Sequence, residues 1–532
     1  MLSLALAIII LDTTILNVTL RTIITDLDTT IQKIQWVITA YSLILAAFTI
    51  TGGRLGDLFG RKKMFILGAT IFAIGSFVTS ISQSVGVLIL GEAVIEGIGA
   101  ALMMPATVSL LRSCYKGRDL AVAFGVWGGI ASAAAALGPV VGGWLSTNYS
   151  WRWAFRVNIP VVLLLILGSI IIQEAEGRLA KKKIDFGGVV LSALGLLSLV
   201  FGFIEASTYG WWKLKAPFEV FGRVIDLGGI SPTPFFIMIG LLILGLFAVY
   251  EQKIAGRGDT PLVSLSIFKN KQFTGATTIT GLMSLGMAGL SFSAPVYFQA
   301  VLGLDPLHTG YALIPMSIVI LVAAPLSAYL GKHVSAKHII QVGIMLNMLG
   351  FFVLRQSLHL GATQWAFAPG FMIFGFGMGL IMGQSNNLAL SALPASEAGE
   401  AAGVTNTFRQ VGMSLGSAVI GAVMISSLSG NLGSGVNESR VIPQGEKARI
   451  AQAVTTQTSN IEFGGVEALR NANIPASIKG ELTTITHQAT VDASKTALAY
   501  GLAFSFLSLL FSTRLPKMAI LDHSEEKEPI AG

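Results

Sequence analysis

The chain has 532 residues, 53% of them apolar and only 12% charged, against about 25% charged in a soluble globular protein. That much apolar surface exceeds what a water-soluble core can hide, which excludes a soluble enzyme or binding module and places the chain in a bilayer. The net charge of +7 does not indicate a nucleic-acid partner, because the basic residues are dispersed among loops without an aromatic–basic patch. A single cysteine, Cys114, excludes an internal disulfide and a cysteine metal centre.

A spanning helix needs about 20 mostly apolar residues. Fourteen segments qualify, at about 2–22, 34–54, 64–83, 87–110, 119–146, 157–173, 186–206, 234–252, 273–300, 308–330, 338–357, 364–390, 400–426 and 495–514. The first has no basic leader, and Asp12, Asn17 and Arg21 interrupt it, so it reads as a spanning helix behind a short tail, not a signal peptide. Asp12 lies near its middle. A carboxyl in low dielectric keeps its proton more readily than in water, and charged groups inside a bilayer are costly enough to be functional candidates. The competing reading is a structural Asp bonded to a hydroxyl such as Thr13.

Between spans 2 and 3 runs Gly53-Arg54-Leu55-Gly56-Asp57-Leu58-Phe59-Gly60-Arg61-Lys62-Lys63. Asp57 can favour a nearby helix N-terminus and pair with Arg61 or with Arg112 beyond span 4. A basic anchor would explain Arg61 and Lys62, but not an acid set among glycines. On span 4, Glu92 and Glu96 stand four residues apart and share a face. Two acids one turn apart resist joint ionisation. A Glu92 idle at headgroup level is the plainer alternative.

Span 5 carries Leu137-Gly138-Pro139-Val140-Val141-Gly142-Gly143. The Gly138 and Gly142 spacing lets another backbone approach, and Pro139 removes a donor so that the helix can bend. Trp151-Arg152-Trp153 follows, with aromatics suited to an interface. Arg409 lies some ten residues into span 13, roughly 15 Å deep, between Asn406 and Gln410, with a structural role as open as a functional one. Gln384, Ser385, Asn386 and Asn387 on span 12 are candidate cavity residues.

Lys and Arg concentrate in the loops around 54–63, 112–118, 178–183, 253–271 and 332–337 and in the C-terminal tail, which puts both termini in the cytoplasm. Pro325-Leu326-Ser327-Ala328-Tyr329-Leu330-Gly331-Lys332 faintly repeats the 53–63 run. Two six-helix halves are therefore expected: residues 1–180 and 261–532, with 181–260 an inserted pair. The polar stretch 428–494 is expected outside, with helical parts at 444–458 and 476–490. Gly412-Met413-Ser414-Leu415-Gly416 matches a hydrolase pattern but lies inside a helix, not on a strand–helix elbow. No phosphate-binding loop is present, so ATP does not drive the protein.

Taken together, the 53–63 run, the 138–143 run and the tryptophan signature resemble the motifs of the major facilitator superfamily. Leu11-Asp12-Thr13-Thr14-Ile15-Leu16-Asn17-Val18 and Glu96-Gly97-Ile98-Gly99-Ala100-Ala101 are similar to motifs of its fourteen-helix drug–proton antiporters, the EmrB/QacA subfamily. The resemblance implies an all-α integral membrane protein that exports amphipathic, cationic drugs by alternating access about a cavity lined by helices 1, 4, 9 and 12. Protons and the bilayer would be its other partners, and no cofactor is needed beyond the proton gradient. A dedicated exporter of one metabolite or antibiotic, such as a tetracycline, is the alternative. A periplasmic adaptor is left open. Asp12, Asn17, Glu92, Glu96 and Arg409 become candidates for proton or substrate binding. Gly53, Arg54, Asp57, Gly60, Arg61, Lys62 and Arg112 become a conformational latch, and Gly138, Pro139, Gly142 and Gly143 an antiporter motif. One departure stands out. Where many members carry Arg four residues before the first Gly of the helix-4 motif, this chain has Ala93.

Overall fold

The computed structural model describes residues 1–29, 31–115, 117–171, 185–220, 223–225, 227–331, 333–394, 397–456 and 476–516. It is almost wholly helical. In chain order the helices are α1 (Leu2–Asp26), α2 (Ile31–Phe59), α3 (Arg61–Ser80), α4 (Val85–Cys114), α5 (Gly117–Asn148), α6 (Trp151–Ser169), α7 (Phe186–Tyr209) and α8 (Thr233–Gly256). Then come α9 (Lys271–Ala300), α10 (Pro306–Leu330), α11 (Ala336–Ser357), α12 (Ala368–Ser391), α13 (Ala398–Glu438), α14 (Gln444–Thr456) and α15 (Ala476–Ser512). Twelve helices among the described residues are long and apolar enough to cross a membrane, and α1 and α5 occupy the first and fifth expected positions.

Polar residues in the connections start several helices. Asp185 Oδ1 accepts from Gly188 N at 2.9 Å before α7, and Asn270 Oδ1 accepts from Gln272 N at 2.9 Å before α9. Asp305 Oδ1 accepts from His308 N at 2.7 Å before α10, where Pro306 sits in the first turn. Such caps satisfy amide donors that the helix itself leaves unbonded. Leu163, Leu164 and Leu167 on α6 and Leu241, Leu242 and Leu246 on α8 point outward, exposed. An apolar outer surface of this kind suits acyl chains.

In the first half, α1 packs on α5, and α3 and α2 pack on α4. In the second, α9 packs on α13 and α15, and α12 on α10 and α11. The halves meet where α5 lies along α10 and α2 along α13. The α7–α8 hairpin rests its α7 against both α2 and α13, on the seam. Two features depart from expectation. The 207–233 connection folds a short antiparallel β-ribbon, β1 (Glu219–Val220) with β2 (Arg223–Val224). The helices flanking the polar stretch run into it: α13 continues to Glu438, and α15 begins at Ala476, well before the expected 495, while the helical parts expected at 444–458 and 476–490 appear at 444–456 and within α15. Val436, Ile442, Ile478 and Leu482 form a small core between these extensions. Widely spaced apolar residues are enough to seal two long helices in water, although a hydropathy window averages them away. Residues 457–458 of the expected 444–458 helix lie outside the described residues.

Candidate functional site

Asp12 of α1 and Glu92 and Glu96 of α4 meet inside the first half, all three at 0% exposure. A ligating oxygen from each lies within 4.8 Å of the others. The middle of α4 explains the convergence. Ile89–Glu96 is a π-helix, wider than an α-helix and frequent at functional sites, so both glutamates stand over α1. Asn158 of α6 donates through Nδ2 to Asp12 Oδ1 at 2.7 Å, to Ser76 Oγ at 3.1 Å and to Glu96 Oε1 at 3.2 Å. Ser76 of α3 donates to Glu96 Oε1 at 2.5 Å. Asp12 Oδ2, Glu96 Oε2 and both oxygens of Glu92 accept from no protein donor, and the buried Tyr41 hydroxyl beside them is also unpartnered.

The three carboxyls lie close enough to resist joint ionisation. Asp12 Oδ1 accepts from Asn158, while Thr13 donates to the Ile10 carbonyl at 2.8 Å. Sequence reasoning missed Asn158 and Ser76; an Asn at the start of an apolar span is the only signal that pointed to the first. The Asn17 side chain lies outside the described residues.

The 138–143 run abuts this chamber. A side-chain carbon at Gly138 would sit 1.8 Å from Thr14 Oγ1, and one at Gly142 would sit 3.1 Å from Ile15. The run is thus the surface on which the Asp12 segment of α1 lies. Gly143 follows on the same helix, half-buried. Pro139 falls within the continuous helix α5; its ring lies outside the described side chains.

A second network closes the end of the molecule where the basic loops lie. A side-chain carbon at Gly53 would meet the Gly399 carbonyl oxygen at 2.3 Å, so only glycine permits α2 and α13 to touch there. Asp57 accepts from Arg61 at 3.2 Å and from the Glu400 amide, at the N-terminus of α13, at 3.2 Å. Both the helix-terminus contact and the Arg61 pairing expected of Asp57 are therefore present. Arg54 faces Glu400 at 3.9 Å, and Glu400 also accepts from the Ser264 amide. Arg112 donates to the Leu393 carbonyl on the other half rather than to Asp57. Gly60 is the joint between α2 and α3, with φ 105°, and Lys62 reaches the Ile170 carbonyl at 3.4 Å. Glu400 was not singled out from the sequence, although an acid in a helix's first turn is the recognised signal.

Between the halves lies a cavity of about 70 Å³, well below the roughly 300–1,000 Å³ of a drug-sized site. Residues of α4, α5, α9, α12 and α13 line it. Helices 4, 9 and 12 line it as expected, and α5 and α13 do as well; no described residue of α1 does. Ser385 and Asn386 line it; Gln384 instead donates to the Ser327 carbonyl at 2.6 Å. Among the described residues Arg409 is its sole charged lining residue, and its one hydrogen bond goes to Asn406 Oδ1.

At the far end of the first half, Arg152 holds Asp26 at 2.7 Å, bonds the Ser82 carbonyl at 2.8 Å and stacks 4.5 Å from the Trp151 ring. The tryptophan signature thereby ties α1 and α3 to the start of α6. Arg152 holds the Asp26 carboxyl below the usual carboxylate range.

These features define a helical transporter with a buried acid chamber, an inter-half cavity and an ionic network joining α2 to α13. The Major Facilitator Superfamily profile matches residues 2–417, and the chain belongs to that superfamily: it is a membrane transporter, not an enzyme. It is 30% identical over 503 residues to a Tetracenomycin C resistance and export protein of Streptomyces glaucescens, covering 93% of this chain and 86% of the relative. It is 27% identical to the multidrug efflux pump LfrA of Mycolicibacterium smegmatis over 81% of both chains. The solved proton:xylose symporter XylE shares the fold, with a TM-score of 0.56 at 11% identity, covering 97% of this chain and 94% of that one.

Proposed function

We propose that the protein is a proton-coupled exporter of amphipathic toxic compounds, placed in the cell membrane with both termini in the cytoplasm. Its halves, residues 1–180 and 261–532, rock about the central cavity, with 181–260 as an inserted pair. The observation that carries this reading is the Asp12–Glu92–Glu96 chamber. Three carboxyls sealed from water, with no cationic neighbour among the described residues, cannot all be ionised, so the chamber stores protons that come and go as the halves move. The latch of Arg54, Asp57, Arg61 and Arg112 holds the cytoplasmic end shut in one state and releases it in the other. A cationic cargo follows if cargo and protons compete for the acids. The acids lie outside the cavity, however, so the lining decides which charge the cargo carries.

The printed names of the relatives support export of antibiotics and multiple drugs. The first of them also favours a second reading, a dedicated exporter of one compound. Dose–response profiles of expressing cells against unrelated toxic compounds separate the two. The test of proton coupling uses proteoliposomes with an internal pH-sensitive dye and an imposed pH gradient. Ethidium and anthraquinone-2-carboxylate are offered in turn. Cargo-triggered proton movement by the intact chain, absent in Asp12→Asn, is expected. Equal movement by both proteins sinks the reading.

A further inference from the structure

The central cavity has the opposite electrostatic character from the acid chamber. Arg409 contributes a guanidinium with five N–H donors, and among the described residues it has one hydrogen bond, to Asn406. No carboxylate lines the cavity. Trp127, 3% exposed, also lines it, and its indole N–H has no acceptor among the described residues. The same is true of Ser385 and its hydroxyl. Arg409 is half-buried, and a charge held partly away from water without a counter-charge favours a partner of opposite sign. The Arg409 guanidinium calls for an acceptor oxygen, while Trp127 Nε1 and Ser385 Oγ lie just behind the lining, sealed from the cavity. Around them Met104, Met283, Met378 and Met382 give soft, polarisable walls that accept flat apolar rings of varied shape.

We infer that the cavity, once the halves rock apart and enlarge it, binds aromatic acids: flat, largely apolar compounds whose carboxylate or phenolate is held by Arg409. The inference deepens the export reading by naming its cargo class, and it differs from the cationic cargo expected from the sequence. Arg409 lies on α13, whose N-terminus belongs to the latch. An anion bound there is therefore held by the same helix that closes the cytoplasmic end.

The test is equilibrium binding to the purified full chain in nanodiscs, without a gradient, read by quenching of tryptophan fluorescence. The probes are anthraquinone-2-carboxylate, its neutral carboxamide, and ethidium. The intact chain should bind the carboxylate about 10- to 100-fold more tightly than the carboxamide, the range expected of a charge-assisted hydrogen bond. Arg409→Gln should lose that preference while keeping carboxamide affinity, and Arg409→Lys should keep most of it. Equal affinity of the intact chain for carboxylate and carboxamide overturns the inference. So does preference for ethidium, lack of carboxylate binding, or undiminished preference in a folded Arg409→Gln. If Arg409→Gln does not fold, the intact chain and Arg409→Lys still decide. Charge-selective binding without proton movement in proteoliposomes would leave this inference standing and remove the antiport reading.

Discussion

The acid chamber and the central cavity share a helix and little else. Glu92 and Glu96 sit on the π-helical stretch of α4, and Met104 enters the cavity two turns further on, about 12 Å along the axis from Glu96. Among the described residues the chamber has three acids and no cation, and the cavity one cation and no acid. Put together, these groups would neutralise one another and leave nothing for a proton or a cargo to change. Apart, each would take a ligand of its own, and on the proposed reading the link between them is mechanical. Helix α5 touches both: Gly138 and Gly142 lie against α1 beside Asp12, and Trp127 on the same helix lines the cavity. A departure from the family pattern fits this division. An Arg at position 93, fully buried here as Ala, would have placed a cation in the π-helical stretch that carries the acids.

The sharpest way to break the comparison is Asp12→Asn. Proton movement in proteoliposomes should fall to background while carboxylate binding in nanodiscs stays within about threefold, a change worth under 1 kcal/mol. Loss of both together would mean one site, not two. Gly53→Ala should come next. Its added carbon cannot fit against the Gly399 carbonyl, and overpacking of this kind costs about 1–3 kcal/mol in the closed state alone. Transport should drop severalfold, and spin labels on the basic ends of α2 and α13 should move apart. An unchanged distance would show that the latch does not depend on this contact.

Asn158→Leu removes the donor shared by Asp12, Ser76 and Glu96. Thermal unfolding should report about 1–3 kcal/mol lost, and the pH profile of transport should shift while Arg409-dependent binding does not. A shift in binding but not in the pH profile would reverse the roles of the two sites. The smallest effect is expected of Arg152→Ala, which breaks a half-exposed pair worth about 0–1 kcal/mol. Because the folded Asp26 is held below the ordinary carboxylate range, the pair's contribution is present above that range. It is lost as pH falls through the lowered value. Chemical denaturation at pH 7 and at pH 3 should thus separate the intact and Arg152→Ala chains only at the higher pH.

Local composition determined much of this protein. Apolar runs of spanning length located the helices, because a bilayer offers backbone groups no partner but the helix itself. The unusual Gly53–Lys62 and Gly138–Gly143 runs marked the latch and the α1–α5 contact, since glycine and intramembrane charge are costly wherever packing does not require them. Asp12, Glu92 and Glu96 were visible one by one for the same reason. Their meeting was decided only by tertiary structure. A π-helical turn cannot be read from a periodicity assumed to be 3.6, and Asn158 and Ser76 looked like ordinary polar residues until α3 and α6 brought them to the acids. Glu400 gained its role from Asp57 and Arg54, more than 300 positions away. The sequence likewise showed Arg409 as an intramembrane charge without a sign of its partner. Coulomb and hydrogen-bond energies depend on distance in space, and the separation of acids from cation into two chambers exists only once the helices have packed.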